Sequence, residues 1–236
     1  MSGATELDGP RVPPASGGAP KHLVILLHGY GADGNDLIGL APHWQQLLPD
    51  AAFVSPHAPE PCEMSPMGHQ WFSLGRYDPN MMRRDPAHTA EVYGAMRQGA
   101  DGVAPLLNAF IDAELASHGL ADDKLALVGF SQGTMMSLHV GLRRERSPAC
   151  ILGFSGSLLG ADRLADEIRQ KPPVMLIHGD ADDVVPVQAL LDATSGLGAA
   201  GVTAQWHISN GVGHGIAPDG LELGGRFLSV NLPQAA

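Results

Sequence analysis

The chain has 236 residues, 44% of them apolar and 17% charged, with 14 Lys and Arg against 25 Asp and Glu for a formal net charge of −11. That length and apolar content suit one domain with a sizeable core and exclude a disordered chain or a coiled coil. The acidic balance disfavours nucleic acid and anionic membranes as partners, because the densest basic cluster, Arg143, Arg144 and Arg146, lies near the end of a predicted helix and complements its dipole. Thirty glycines and nineteen prolines without a G-X-Y period exclude collagen. Two cysteines, Cys62 and Cys150, rule out a disulfide scaffold; a single bridge and a reducing compartment fit equally well. No apolar run reaches the roughly 18 residues of a spanning helix, and the N-terminus lacks the pattern of a secretory signal. A cytoplasmic protein with no integral membrane association is therefore expected.

Residues 1–20 hold four glycines and four prolines and read as a flexible arm outside the core. A single domain over 21–236 follows. Residues 22–27 are continuously apolar after His22, as a parallel strand covered on both faces must be. A glycine-rich turn at 29–34 leads to a predicted helix over 35–48 and a short strand over 51–55. Residues 56–86, with six prolines and four methionines, show no period and read as an irregular loop segment that could form a lid or wall. A helical pattern over 87–118 is interrupted near Gly102 and Pro105. Then strands at 125–128, 150–154, 174–177 and 202–208 alternate with helices at 132–144, 162–170, 187–197 and 218–232. The expected fold is α/β: a mostly parallel sheet of six or more strands, covered by helices on both faces.

Two glycine motifs compete. Gly29-Tyr30-Gly31-Ala32-Asp33-Gly34 satisfies G-x-G-x-x-G between a strand and a helix, the mark of a nicotinamide-binding oxidoreductase. Such a fold needs an acidic residue at the end of the second strand, and here that strand ends Val54-Ser55-Pro56-His57. Gly129-Phe130-Ser131-Gln132-Gly133 satisfies G-x-S-x-G, with an apolar strand running into it and a helix leaving it. A nucleophile on such a strained turn needs tiny residues two before and two after, which Gly129 and Gly133 supply. The alternative is a serine that merely caps a helix. Gly153-Phe154-Ser155-Gly156-Ser157 follows a strand too, but lacks the final glycine and a following helix, so Ser155 is set aside.

A serine nucleophile needs a base and an acid on later loops beyond the carboxyl ends of the strands, in the order Ser, acid, His. Of eleven histidines, His214 sits amid glycines on the loop after the last strand and is the expected base. His207 falls on that strand and reads as structural. His178 and His28 are expected to hold loop geometry. The loop after 174–178 offers three carboxylates, Asp180, Asp182 and Asp183, among which spacing does not choose.

These pieces, from Leu27-His28-Gly29-Tyr30-Gly31 through the Gly129–Gly133 turn and His178-Gly179-Asp180-x-Asp182 to Gly213-His214, resemble the α/β-hydrolase superfamily. Within it they look like the phospholipase/carboxylesterase group, which includes the acyl-protein thioesterases. The resemblance implies an α/β-hydrolase fold and Asp182 as the triad acid, with Asp180 steadying the loop. Asp183 stands where the family often has proline. It also implies backbone N–H oxyanion donors at Tyr30 and Gln132. The catalytic set Ser131, Asp182 and His214 then predicts a serine carboxylesterase acting on a small-molecule ester or thioester, with no cofactor and no metal. Acyl-protein thioesterase or lysophospholipase activity is the alternative, and a non-catalytic binding module is a more distant one. Trp71, Phe72 and Leu74 are expected to wall an acyl groove that Met64, Met67, Met81 and Met82 line or cover. A homodimer is possible as a family habit.

Overall fold

The computed structural model describes residues 6–75, 77, 78, 81 and 84–232. Seven strands form the main sheet: β1 (Arg11–Val12), β2 (His22–Leu27), β3 (Ala51–Val54), β6 (Leu125–Phe130), β7 (Cys150–Phe154), β8 (Val174–Gly179) and β9 (Ala204–Ser209). Their spatial order is β1-β3-β2-β6-β7-β8-β9, with β4 (Glu60–Pro61) and β5 (His69–Gln70) forming a separate two-stranded sheet. The six expected strands are parallel to one another, and β1 joins antiparallel at the β3 edge.

The continuous apolar runs are explained by two cores, one on each face of the sheet. Leu23, Ile25, Leu27, Leu125, Leu127, Ile151, Val174 and Leu176 pack against α3 (Pro86–His118), α4 (Gln132–Gly141) and α6 (Gln188–Ala199). The intervening Val24, Leu26, Ala126, Val128, Leu152, Met175 and Ile177 pack against α1 (Gly34–Leu37), α2 (Ala41–Trp44) and α7 (Pro218–Asn231). Successive residues of a strand point to opposite faces, so a strand covered on both sides must be apolar at every position.

Four segments differ from expectation. The helix expected over 35–48 is broken into α1, a 3-10 turn at Ile38–Leu40, and α2. Pro42 has no N–H to donate to the Ile38 carbonyl, so one continuous helix is disfavoured there. The opposite happens at Pro105, where α3 runs unbroken for 33 residues. Buried Met96, Ala100, Leu107 and Ile111 hold its two halves on one core and outweigh the lost hydrogen bond. The helix expected over 162–170 is a 3-10 turn followed by the short α5 (Leu164–Glu167), because Pro172 and Pro173 favour an extended chain before them.

The fourth difference is the N-terminal arm. From residue 6 it is attached to the domain: Leu7 is buried, β1 pairs with β3, and the Ser55 and His57 amides donate to the Pro10 and Asp8 carbonyls. Arg11 reaches Glu114 on α3 at 2.6 Å. Backbone pairing, invisible in an apolar count, shares this attachment with one apolar anchor, Leu7, and one ion pair, Arg11–Glu114. Cys62 and Cys150 are both free and buried. Among the described residues no helix is long and apolar enough to cross a membrane.

The topology fixes where a site can form. From β2 the chain moves outward to β3, then crosses back to β6 on the other side of β2. The loops leaving the carboxyl ends of β2 and β6 therefore diverge at a switch point, the crevice where open α/β sheets bind ligands. One loop holds Tyr30 and the other Ser131.

Candidate active site

Ser131 closes β6 and opens α4 with φ 53° and ψ −116°, a conformation that a residue with a side chain rarely adopts. The turn is held from several sides. The Ser131 N–H donates to the Phe154 carbonyl on β7 at 2.8 Å. Thr134 Oγ1 accepts from the Phe154 N–H at 3.0 Å and has the Gly129 and Phe154 carbonyls each at 2.8 Å for its one proton. A Cβ on Gly133 would lie 1.8 Å from the Leu27 carbonyl oxygen, and one on Gly129 would lie 2.3 Å from the Gly133 backbone. Both neighbours are backbone atoms unable to yield, so the turn requires glycine at both positions. Although Ser131 occupies the N-cap position of α4, its hydroxyl makes no capping hydrogen bond. The helix-cap alternative therefore lacks the bond that would define it.

The loops after β8 and β9 complete the rim. Of the three carboxylates after β8, Asp182 alone is buried, while Asp180 and Asp183 are exposed. Asp182 Oδ1 accepts the Val184 and Val185 N–H groups at 2.9 and 2.8 Å. Its Oδ2 lies 2.8 Å from His214 Nδ1 and 3.3 Å from His178 Nε2. Burial pushes the Asp182 pKa upward, but these donors outweigh it and hold the carboxyl well below the usual carboxylate range. With Nδ1–H donated to Asp182, a neutral His214 leaves Nε2 as its acceptor. The His214 ring packs against Phe130, the residue before Ser131, with centroids 4.9 Å apart. Asp180 ties the two loops together by accepting the Gly211 N–H.

His178 and His207 act on loops and elements. His178 Nε2 is 2.8 Å from the Val185 carbonyl, closing the turn around Asp182. His207 pairs with Asp219 at the start of α7 at 2.7 Å. Ser155, which lacks the full motif in sequence, lies at a second strained turn. It has φ 49°, is buried, and its hydroxyl lies 3.5 Å from the Gly215 carbonyl, next to His214. The repeated G-x-S after a strand was the available signal for that strained turn.

The glycine loop after β2 is mostly satisfied by protein. The Gly31 and Gly34 amides donate to the His69 carbonyl and to His57 Nδ1, while the Asp33 carboxylate accepts from Asn35 and Asp36. These groups are thus spent inside the fold and do not form a pyrophosphate cradle, and α1 is only four residues long. Among the described residues, the Tyr30 and Gln132 amides donate to no protein acceptor. Also among them, no group of three or more His, Cys, Asp or Glu is placed to hold a metal ion.

Two expected groove residues are corrected. Trp71 is 0% exposed and Phe72 2% exposed, so neither side chain offers a surface to a ligand. Both are drawn inward by backbone-directed hydrogen bonds and by α3, whose Gly99 allows Phe72 to approach so closely that a Cβ there would lie 2.5 Å from Phe72 Cβ. Leu74 is half-buried and lines a cleft of about 240 Å³ with Tyr77, Val92 and Met96. Met64, Met67 and Met81 are exposed, and Met82 lies outside the described residues.

His28 is fully buried beneath the glycine loop. Its Nε2 accepts the Ala58 N–H at 2.9 Å, and its Nδ1 is 2.8 Å from the Gly29 carbonyl. Burial pushes its pKa down to about 4, and does the same to His139 on α4. A histidine whose folded pKa lies below its unfolded value of about 6.5 binds protons more readily when unfolded. Its stabilising effect is therefore complete above about pH 6.5 and declines as pH falls toward 4, by up to about 3 kcal/mol for His28. Thermal unfolding followed from pH 7.5 to 4 should show Tm falling through that window. A Tm that stays level across it would contradict the buried neutral assignment.

Fold and rim together define the class: this is an α/β-hydrolase fold, and the protein is a hydrolase. The chain belongs to the phospholipase/carboxylesterase family, whose model matches residues 12–232. It is similar to esterase PE8, whose crystal structure superposes with a TM-score of 0.86 at 44% identity, covering 96% of this chain and 100% of that one. Acyl-protein thioesterase 1 of Gibberella zeae is 29% identical over 223 residues, 89% of this chain and 90% of its own length. Esterase YpfH of Escherichia coli is 26% identical over 216 residues, 91% of this chain and 84% of its own.

Proposed function

We propose that the protein is a serine carboxylesterase that hydrolyses small-molecule carboxylic esters through a Ser131–His214–Asp182 triad and an acyl-enzyme. The observation that carries this reading is the Ser131 turn, which holds an uncapped hydroxyl in a strained conformation at a helix N-terminus. Such strain persists only where the surroundings enforce it, and it clusters at active sites. Ser131 Oγ attacks the ester carbonyl as His214 Nε2 takes its proton, and Asp182 fixes the imidazole tautomer and supports the positive charge. The Tyr30 and Gln132 N–H groups receive the developing oxyanion, each contributing about 3 kcal/mol of transition-state stabilisation. His214 then protonates the departing alcohol. Water, deprotonated by the same imidazole, cleaves the acyl-enzyme and releases the acid.

Ester chemistry is preferred because the 44% identity to esterase PE8 exceeds the 29% identity to the Gibberella zeae thioesterase. The thioesterase reading rests on the curated relatives named acyl-protein thioesterase. A matched pair, p-nitrophenyl butyrate and the corresponding aryl thiobutyrate, separates them. The ester is expected to be hydrolysed with kcat/KM equal to or above that of the thioester. A thioester preference of about tenfold or more, which corresponds to about 1.4 kcal/mol in the transition state, would favour the thioesterase instead. Hydrolysis of neither would overturn both.

A further inference from the structure

The two N–H groups assigned to the oxyanion come from separate connections, β2 to α1 and β6 to α4, and no covalent path of fewer than a hundred residues links them. Donors must sit about 2.7–3.1 Å from the position the oxyanion will occupy, so their mutual spacing has to be fixed by something else. Segment 68–72, buried except at the half-buried His69, touches both. Toward the β2 loop, the Gly31 N–H donates to the His69 carbonyl at 2.9 Å, and the His69 N–H to the Ala32 carbonyl at 2.8 Å. The Trp71 indole N–H donates to the His28 carbonyl at 2.9 Å. Toward the β6 turn, the fully buried Gln132 side chain clasps the backbone on either side of the Trp71–Phe72 pair. Its Oε1 accepts the Trp71 N–H, and its Nε2 donates to the Phe72 carbonyl, each at 2.8 Å. Gly68 lies so tightly on Gly31 that a Cβ there would be 2.0 Å from the Gly31 carbonyl oxygen.

We propose that segment 68–72 is a brace that sets the spacing between the Tyr30 and Gln132 amides, with the Trp71 indole and the Gln132 carboxamide as positioning residues for the oxyanion. The inference rests on the serine-esterase reading above. Neither side chain touches substrate. Each instead fixes a loop whose amide does, and the two act as one unit because the adjacent residues Trp71 and Phe72 carry both attachments. Five directional hydrogen bonds leave the segment little freedom to shift, and α3 closes over it at Gly99. Trp71 is thereby given a use that its aromatic surface alone does not suggest: the indole N–H matters more than the ring face.

The test compares Trp71→Phe, Gln132→Met, the double variant, and Trp206→Phe, a control at an exposed tryptophan on the β9 edge strand. Hydrolysis of p-nitrophenyl butyrate is measured per Ser131 site titrated to completion with a fluorophosphonate, so unfolded molecules are not counted. Each brace variant is expected to lose about tenfold or more in kcat with KM changed by less than about twofold, since the oxyanion forms only in the transition state. The pH–rate midpoint should stay in place, because His214 and Asp182 are not touched. The double variant should lose less than the product of the single losses, and Trp206→Phe should lose nothing. A Trp71→Phe enzyme with full kcat per titrated site overturns the brace alone, even if its Tm falls. Should Gln132→Met fail to fold, Trp71→Phe decides by itself. A wild-type enzyme that takes no phosphonate on Ser131 removes the esterase reading and the brace together.

Discussion

Ser131→Ala is expected to lower kcat for p-nitrophenyl ester hydrolysis by about 10⁴-fold or more, with Tm changed by only a few degrees. The size follows from the proposed role: without Oγ no acyl-enzyme would form, and any residual rate would come from water attack on a substrate polarised by the proposed oxyanion donors, the Tyr30 and Gln132 amides. The small stability change follows from the geometry. Ser131 contributes its N–H to Phe154 and its carbonyl to Thr134 and Met135 through backbone atoms that alanine retains. Its hydroxyl makes no capping bond that would be missed, and serine already bears the Cβ strain at φ 53°. Circular dichroism and calorimetry on the variant check the second half. Full activity in a folded variant would remove Ser131 from the chemistry.

Asp182→Asn is expected to cost about 10⁴-fold in kcat near neutral pH, close to the serine variant in effect but by another route. An asparagine can place its oxygen toward the Val184 and Val185 amides, preserving the turn. Its NH₂ then faces His214 Nδ1 and His178 Nε2. The imidazole of His214 must respond by presenting a lone pair at Nδ1 and a proton at Nε2, so the nitrogen proposed to deprotonate Ser131 can no longer accept. KM should move little, because the buried Asp182 side chain is spent on the Val184 and Val185 amides and on His214 and His178. Asp183→Asn, at the exposed neighbour, should leave kcat within about twofold. Equal losses in the two variants would mean that the loop's net charge, and not one carboxylate, supports the reaction.

The parts of this molecule that sequence reasoning reached are those governed by local pattern. Residues 22–27 and 125–128 read as strands because both faces of the sheet demand apolar side chains, and the tightness required at Gly129 and Gly133 reads directly from the G-x-S-x-G spacing. His214 stood out because a glycine-flanked loop follows the last strand. Asp182 is one of three carboxylates in the sequence, where only the family resemblance prefers it; burial separates it from Asp180 and Asp183. What the pattern missed was set by distant partners. Trp71 and Phe72 looked like groove walls because aromatic residues in an irregular segment signal a surface. Their hydrogen bonds go to His28 and Gln132, 43 and 60 residues away in sequence, and no local period encodes that. Pro105 misled for the same reason, since the burial that keeps α3 continuous comes from other elements. The attachment of the arm is hard to read because it rests on backbone pairing with β3, one ion pair to Glu114 and the single apolar anchor Leu7.

The most direct measurement of the central claim is intact mass after reaction with a fluorophosphonate, on wild type and on Ser131→Ala side by side. The account predicts a single phosphonyl adduct on the wild-type chain, mapped to Ser131, and none on the variant. An unmodified wild type, or an adduct of equal extent on both proteins, would contradict it.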